Sequence, residues 1–422
     1  HVHLPRQGWP TLISLVWHRF RLRLRGLSFK RRDESQLSRE TLERLDIFNS
    51  LADGMGLADY LLGAQLSTRW IREALKVGEP QRVLKALYRE ANFVAASGHW
   101  DSAYQKKILQ AIEDLRREVV MPTSEGWLFG AQAYQSFMKG QWHEALDRAR
   151  EGIATFSPTN SNYWESSTLH FLLLWANFYL GDLTTMEQLT RPNLHDAMDR
   201  GDMLAASGNI LGLNTIVFIK EKGPDKARDA ADWVITNWTA SKFHLQHYWH
   251  LLSHLLIDFY TMEEERAIHH LEENWGPLKK SHLLLLPSIR NEALYLRARV
   301  SLARAKASTG STRKSHIARA LKDSRLLTGG KLDWPRALGN IIAAHSWLMT
   351  GHEEEAITLL QSTRDSLLSM EMMFYAAAVN HKLGRTVGGD QGATFDSLAN
   401  AYFSSHKIPP SKQEHFSRML IP

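Results

Sequence analysis

The chain of 422 residues contains no cysteine. This absence excludes disulfides, thiolate zinc sites, iron–sulfur clusters and a cysteine nucleophile. No apolar run approaches the roughly 18 residues that cross a bilayer, so we expect no membrane span. The chain starts at His1, without Met and without a signal-peptide pattern. We therefore expect a cytoplasmic fragment of a longer protein.

Sequence motifs of common enzymes are also missing. There is no G-x-x-x-x-G-K-[ST] phosphate loop, no G-x-G-x-x-G after a strand, no H-R-D or D-F-G pair and no G-x-S-x-G elbow. The two His-Glu dipeptides, at His143 and His352, lack the second histidine of a zinc protease. We expect no catalytic residue, no cofactor and no metal in this chain, which is not predicted to be an enzyme.

Positive charge is concentrated at the start of the chain. The net charge is +6, yet the first 32 residues hold eight of the 51 basic residues and no acidic residue. The interpretation that we favour is a solvated linker or interdomain helix over residues 1–35. The alternative is a module that binds nucleic acid or an anionic surface. Its contacts would come from this basic segment: Arg19, Arg21, Arg23, Arg25, Lys30, Arg31 and Arg32.

Glycines recur at a fixed interval in the rest of the chain. Each ends an apolar stretch of helical period and precedes an acidic stretch, and most intervals are 41 or 42 residues. A gap of 87 residues admits one further turn, near Met262. The predicted turn positions are Gly56, Gly98, Gly140, Gly181, Gly223, Met262, Gly310 and Gly351. Glycine tolerates the left-handed conformation that ends a helix, so each position predicts a helix, a tight turn and a second helix.

An alanine five residues after the turn supports this interpretation. It follows Gly98, Gly140, Met262 and Gly351, where a small side chain lets the second helix pack closely. Because neither helix of a pair can bury its apolar face alone, neighbouring pairs must stack. The sequence predicts an all-α fold, a right-handed α-α superhelix of about eight helix-turn-helix units. We expect the solenoid over residues 36–370 and a C-terminal capping pair over residues 371–422.

The amino-acid sequence around two of the turns resembles a known repeat family. Gly140-Gln-Trp-His-Glu-Ala and Gly351-His-Glu-Glu-Glu-Ala resemble tetratricopeptide (TPR) units with a period above the usual 34. Elongated units of this kind resemble the sensor regions of MalT-like STAND regulators. The stretch from Trp17 to Ser35 is similar to the junction after the ATPase module in large bacterial serine/threonine protein kinases. These resemblances imply a sensor or scaffold region of a larger signalling protein, with an upstream kinase or ATPase module in the same chain.

Polar residues recur at two offsets before the turns, in first helices that are otherwise apolar. In a solenoid the first helices line the concave side, so this stripe predicts a groove for a protein, a peptide or a small effector. The competing interpretation is that Glu90 and Asp258 only pair with neighbouring arginines. The predicted groove residues are Glu90, Gln132, Asn177, Thr215, His247, His250, His254 and Asp258.

Four histidines share one predicted helix, at positions 244, 247, 250 and 254. Imidazoles three and four residues apart can hold one metal ion. Asp258, one turn further along, is the only nearby carboxylate in the sequence that could complete such a set. We therefore favour polar packing for these histidines.

Among partners of the chain, nucleic acid is possible but less favoured than a protein.

Overall fold

The computed structural model describes residues 9–119, 123–156, 163–239 and 242–422. These residues form α-helices and three short 3-10 turns and contain no strand, which confirms the all-α prediction for the described part of the chain. The helices of this part are α1 (Trp9–Arg25), α2 (Arg39–Ala58), α3 (Tyr60–Val77), α4 (Pro80–Ala96), α5 (Ala103–Arg116), α6 (Ser124–Lys139), α7 (Trp142–Phe156), α8 (Tyr163–Leu180), α9 (Leu183–Asp199), α10 (Met203–Ile210), α11 (Thr215–Lys222), α12 (Pro224–Thr236), α13 (Leu245–Thr261), α14 (Glu264–Lys280), α15 (Pro287–Lys306), α16 (Gly310–Thr328), α17 (Asp333–Leu348), α18 (Glu353–Ser369), α19 (Met373–Val387), α20 (Gly389–Ser405) and α21 (Pro410–Leu420).

The helices reverse direction at the predicted turns. Gly98, Gly140, Gly181 and Gly351 each separate two helices, with φ between 78° and 86°. At each, the N–H of the next residue donates to a carbonyl five positions back, as from Gln141 to Ser136 at 2.9 Å. This Schellman pattern satisfies carbonyls that the helix end would otherwise leave unpaired.

Other turns follow the same rule with less typical residues. Met262 has φ 60° although it carries a side chain, and its position between α13 and α14 is the one that the spacing predicts. Gly388 makes the turn between α19 and α20. One predicted turn is wrong, because Gly56 lies inside α2. The chain reverses instead at Asp59, whose side chain caps α3 by accepting from the N–H of Leu62 at 3.1 Å.

In three of the helix pairs the first helix is the more buried one. Thirteen of the 17 residues of α13 are buried, against three of 17 in α14. The pairs α15/α16 and α19/α20 divide in the same way. The predicted alanines explain part of the close packing, since Ala145, Ala267 and Ala356 have no exposed surface, although Ala103 is exposed. In these three pairs the first helices therefore supply the interior, and the second helices cover it.

The described residues divide into two compact units. The first comprises His1–Leu173, Ala240–Leu245 and Lys280–Pro287, so far as these are described, and the second comprises the rest. In the first unit, Leu15 of α1 packs with Leu61 and Ala64 of α3. Trp127 of α6 meets the ring of Tyr88 edge-on at 5.0 Å. Aliphatic and aromatic side chains thus join α1 to α3 and α4 to α6.

The second unit ends in a helix that the sequence analysis missed. It predicted one capping pair over residues 371–422, whereas three helices, α19, α20 and α21, lie there. Arg299 of α15 donates to the carbonyls of Met419 at 2.9 Å and Arg418 at 2.7 Å. A guanidinium at these carbonyls favours the negative end of the helix dipole. The interior of the unit fixes α21 by these bonds.

A carboxylate and two phenols also lie inside the second unit. Tyr248 donates to Glu292 at 2.6 Å, and Tyr179 is also hydrogen-bonded to this carboxylate. Burial raises the pKa of Glu292 to about 7, although the two hydrogen bonds act in the opposite direction. The carboxyl group is therefore half protonated near neutral pH.

We predict that the free energy of unfolding falls with rising pH relative to a Glu292→Gln variant. The folded chain keeps the proton of Glu292 up to about pH 7, whereas the unfolded chain loses it near 4.5. Stability from this group is complete below pH 4.5 and lost as the pH rises toward 7. Urea unfolding from pH 5 to 8 measures the difference, expected on the order of 3 kcal/mol. A difference that does not change with pH would contradict the burial of this carboxyl group.

Two turn glycines provide a matched test of the packing. A Cβ atom at Gly181 would lie 2.6 Å from the backbone nitrogen of Phe374, whereas one at Gly351 would meet nothing within 4 Å. Both positions have a positive φ, which costs an alanine about 1 kcal/mol. We expect Gly351→Ala to cost about that amount, and Gly181→Ala to cost roughly 1–3 kcal/mol more. Urea denaturation measures both, and equal costs would argue against the contact at Gly181.

Candidate functional site

The recurring polar position four residues before a turn has a backbone role. Ser136, Asn177 and Asp258 all accept, through their carbonyl oxygens, the 6→1 hydrogen bond that closes their helix. Val94 does the same with an apolar side chain. The regular spacing thus follows from the way these helices end. It requires no ligand contact from the side chains at this position.

Glu90 lies inside the first unit and forms an ion pair. Its side chain is 2% exposed and accepts from Arg19 of α1. The guanidinium of Arg19 also stacks on Phe93, 3.6 Å from the ring centre. The competing interpretation in the sequence analysis was that Glu90 pairs with an arginine. The structure shows this pair. A role for this residue as a ligand contact stays a prediction.

The other predicted groove residues divide by exposure. Asn177 and Thr215 are buried, and the hydroxyl of Thr215 donates to the carbonyl of Ile210 at 3.2 Å. Gln132 and His247 are partly exposed. The side-chain oxygen of Gln132 has no hydrogen-bond partner among the described residues. Only the partly exposed members can reach a ligand without a rearrangement of the helices.

The basic segment is a helix followed by an extended stretch. Arg19, Arg21, Arg23 and Arg25 lie on α1, while Lys30, Arg31 and Arg32 follow it. Several of these charges already contact the rest of the first unit. Arg23 stacks on Tyr104, Arg25 donates to the carbonyl of Leu75 at 3.0 Å, and Arg31 pairs with Glu118. Arg21, Lys30 and Arg32 are exposed.

Helix α1 also carries an exposed apolar face, which we call the α1 stripe. Its five large side chains are each between 52% and 72% exposed. At 100° per residue they lie within an arc of about 100°, away from the buried Leu15 and Leu22. The stripe consists of Ile13, Val16, Trp17, Phe20 and Leu24. An apolar face that the fold leaves uncovered is typical of an interaction surface.

In the second unit, three side chains converge from two helices. His250 and His254, four residues apart on α13, each place Nε2 2.8 Å from Oδ1 of Asp232 on α12. The two Nε2 atoms are 3.0 Å apart. The Asp232 side chain is 54% exposed, that of His250 25% and that of His254 7%. The cluster therefore faces solvent on one side.

A buried ion-pair network supports this cluster from within. Asp258, with no exposed surface, accepts from Arg228 at 2.9 Å and from Nδ1 of His270 at 2.6 Å. Arg228 also lies 3.1 Å from Nδ1 of His254 and 3.3 Å from Glu263. These contacts hold the His254 ring in place. The Arg228–Asp258 pair is the arginine pairing that the sequence analysis weighed for Asp258.

Burial sets the charges of the convergent cluster. Burial lowers the pKa of His254 to about 4. The neighbouring His250 and His270 lower this pKa further, whereas the hydrogen bond to Asp232 raises it. Burial also lowers the pKa of His250. For Asp232 burial alone would raise the pKa, but hydrogen bonds from the two histidines hold it below its usual value. At pH 7 the cluster consists of two neutral imidazoles and a carboxylate.

Sequence reasoning missed Asp232. It searched for a carboxylate along the helix of the histidines, where Asp258 is one turn away, and favoured polar packing because no other was near. Asp232 lies 18 residues before His250, on the preceding helix. The side chains of α12 and α13 meet where these two helices pack together. Nothing in the sequence around Asp232 pairs this residue with the two histidines.

No family model and no curated protein matches this chain. Among solved structures, the chain is similar to the apo form of the quorum sensor NprR from B. thuringiensis, with a TM-score of 0.51 and 10% identity. The match covers 87% of this chain and 97% of that one. The chain has a TPR-like helical-repeat fold. The TPR domain of P58(IPK) matches over 88% of this chain and 100% of its own, at 14% identity and a TM-score of 0.20.

Among the described helices, none is by itself both long and apolar enough to cross a bilayer. The pair Met203–Ile210 and Gly212–Lys222, bent by 58°, meets that condition together on length and composition.

We expect Asp258 and Asp232 to differ sharply in their contribution to stability. Asp258→Ala leaves Arg228 without its main buried partner, and breaking such a pair costs about 3–5 kcal/mol. Asp232→Ala removes a half-exposed carboxylate and costs less than about 1 kcal/mol. Urea unfolding of the two variants measures the difference. Equal losses would contradict the division between a buried support and a solvent-facing cluster.

Proposed function

We propose that this chain is a non-catalytic binding region that recognises a protein or peptide through its helical repeats. Its proposed setting is the sensor or scaffold part of a larger bacterial signalling protein, with a kinase or STAND-type ATPase module upstream in the same chain. Two facts support the proposal: the TPR-like fold, which it shares with a quorum sensor, and the α1 stripe. The stripe carries the argument, because it is a large uncovered apolar surface in the described part of the chain.

The chemistry of α1 specifies the kind of partner. The α1 stripe is apolar, and Arg21 lies along one edge with its guanidinium 6.0 Å from the ring centre of Trp17. Arg23 lies along the other edge by helical rotation. A helix with an apolar face and flanking acidic residues would bury the stripe and pair with both arginines. We propose an acidic amphipathic helix as the occupant, as a regulatory segment of a signalling partner or of the same parent chain would supply.

The predicted groove of the first helices is a weaker candidate for the same function. Glu90, Asn177, Thr215, His254 and Asp258 are buried. A ligand that used them would first have to open the helix pairs. Gln132, His247 and His250 are the members that an effector can reach directly. The groove therefore remains in this proposal only as a secondary site for a peptide or small effector.

An anionic membrane surface is the second candidate partner. A helix with exposed Trp and Phe side chains beside arginines is the pattern of interfacial helices. The α1 stripe favours a membrane over nucleic acid, because apolar side chains gain little from a phosphate backbone. Arg19 and Arg31, which are paired with carboxylates, would contribute less to a phosphate contact than the sequence alone predicts.

We expect Phe20→Glu to weaken binding of an acidic amphipathic helical peptide by about tenfold or more. It places a negative charge in the centre of the α1 stripe and repels the acidic flanks of the peptide. Leu326→Glu is the matched control, since Leu326 of α16 is 54% exposed against 52% for Phe20. Fluorescence anisotropy of a labelled Leu/Glu peptide measures the affinity of the full chain for this probe.

Two further titrations separate the alternatives. Sedimentation with phosphatidylserine vesicles and a gel shift with duplex DNA use the same two variants and an Arg21→Gln variant. Vesicle binding that Phe20→Glu abolishes, without peptide binding, would replace the protein partner with a membrane. DNA binding that needs Arg21 and tolerates Phe20→Glu would overturn the role of the stripe. Peptide affinity equal in Phe20→Glu and wild type would also contradict the proposal.

A further inference from the structure

We propose that Asp232, His250 and His254 form a binding site for a divalent transition metal ion of the zinc class. This site is independent of the α1 stripe, since its residues belong to the second unit and α1 belongs to the first, although His250 is also a member of the proposed secondary groove. Within the described residues, these three are the only group of histidine, aspartate and glutamate side chains whose potential donor atoms all converge within 4.8 Å. The group is complete only when Asp232 of α12 is added to the two histidines of α13.

The distances fit a metal centre after a small expansion. The three donor atoms are separated by 2.8, 2.8 and 3.0 Å. Zinc bound at about 2.0–2.1 Å in a tetrahedron separates its ligand atoms by about 3.3 Å. Each pair must therefore widen by roughly 0.3–0.5 Å. Asp232 and His250 are the more exposed members and can make this movement by side-chain rotation.

The donor set selects the class of metal. Two imidazole nitrogens and one carboxylate oxygen suit zinc and the neighbouring transition metals, whereas calcium and magnesium prefer oxygen ligands alone. Histidines four residues apart on a helix present both rings on one face. The third ligand comes from another helix. A bound ion would therefore link α12 to α13.

Binding exchanges one set of contacts for another without net loss of a proton. The carboxylate of Asp232 is already ionised and both rings are already neutral. Each coordinating Nε2 must hold a lone pair, so each ring must carry its proton on Nδ1. His254 then gives up the hydrogen bond from Arg228, which keeps Asp258 at 2.9 Å and Glu263 at 3.3 Å. Binding therefore costs the hydrogen bond from Arg228, and the guanidinium must move away from the Nδ1–H of His254, because two donors cannot face each other at 3.1 Å.

The site leaves one coordination position open. Three protein ligands and solvent on the exposed side allow a water molecule, or a donor atom of a partner, to complete a tetrahedron. His270 lies beside His254 with ring centres 4.6 Å apart, and its Nδ1 is engaged with Asp258. His270 therefore supports the ring of His254 and supplies no ligand atom. The open position makes the site one that can respond to a second molecule.

Isothermal titration of the full chain with zinc chloride tests the proposal. We expect one tight equivalent per chain for wild type. Asp232→Asn and His250→Gln should each weaken it by roughly tenfold or more, since even support residues of metal sites have effects of that size. His269→Gln is the control, because His269 forms an ordinary exposed pair with Glu273 on α14. This control should bind zinc as wild type does.

A second measurement guards against misfolded variants and non-specific binding by surface histidines. Zinc should raise the unfolding temperature of wild type and the His269→Gln control but not of Asp232→Asn, because a ligand that binds only the folded state stabilises it. Circular dichroism of each variant reports its helix content. The proposal is overturned if wild type shows no tight equivalent, or if folded Asp232→Asn binds zinc with wild-type affinity.

Discussion

Each helix pair of this chain depends on a reversal of direction within a few residues. At Gly98, Gly140, Gly181, Met262 and Gly351 the backbone takes a left-handed conformation, and a 6→1 hydrogen bond closes the preceding helix. This turn places the second helix against the first and fixes which residues face inward. Neither helix could bury its apolar face without its partner, so the turn and the packing support each other.

Much of the fold could be predicted from the sequence because the turn is a local event. It needs glycine, or a residue that tolerates positive φ, at a fixed place after an apolar stretch, and such a pattern repeats visibly. The prediction failed at Gly56, which has the residue type but lies within a continuous helix. It also missed α21, whose position depends on bonds from the distant Tyr295 and Arg299 rather than on any local repeat.

The candidate sites could be predicted only in part, because they arise from tertiary contacts. The polar stripe was visible, but the spacing alone could not show that Asn177 and Asp258 would be buried. His250 and His254 were recognised as neighbours on one helix, whereas Asp232 reaches them from the separate helix α12 through tertiary packing. The α1 stripe escaped notice because the arginines between its apolar side chains dominate the sequence of that segment.

The unequal burial of first and second helices is the central claim of this account, and hydrogen exchange measured by mass spectrometry tests it most directly. Amide exchange is slowest where opening requires the core to come apart. The account predicts that peptides from α13, α15 and α19 exchange far more slowly than peptides from α14, α16 and α20. Equal protection in the two sets, or faster exchange in the first helices, would contradict it.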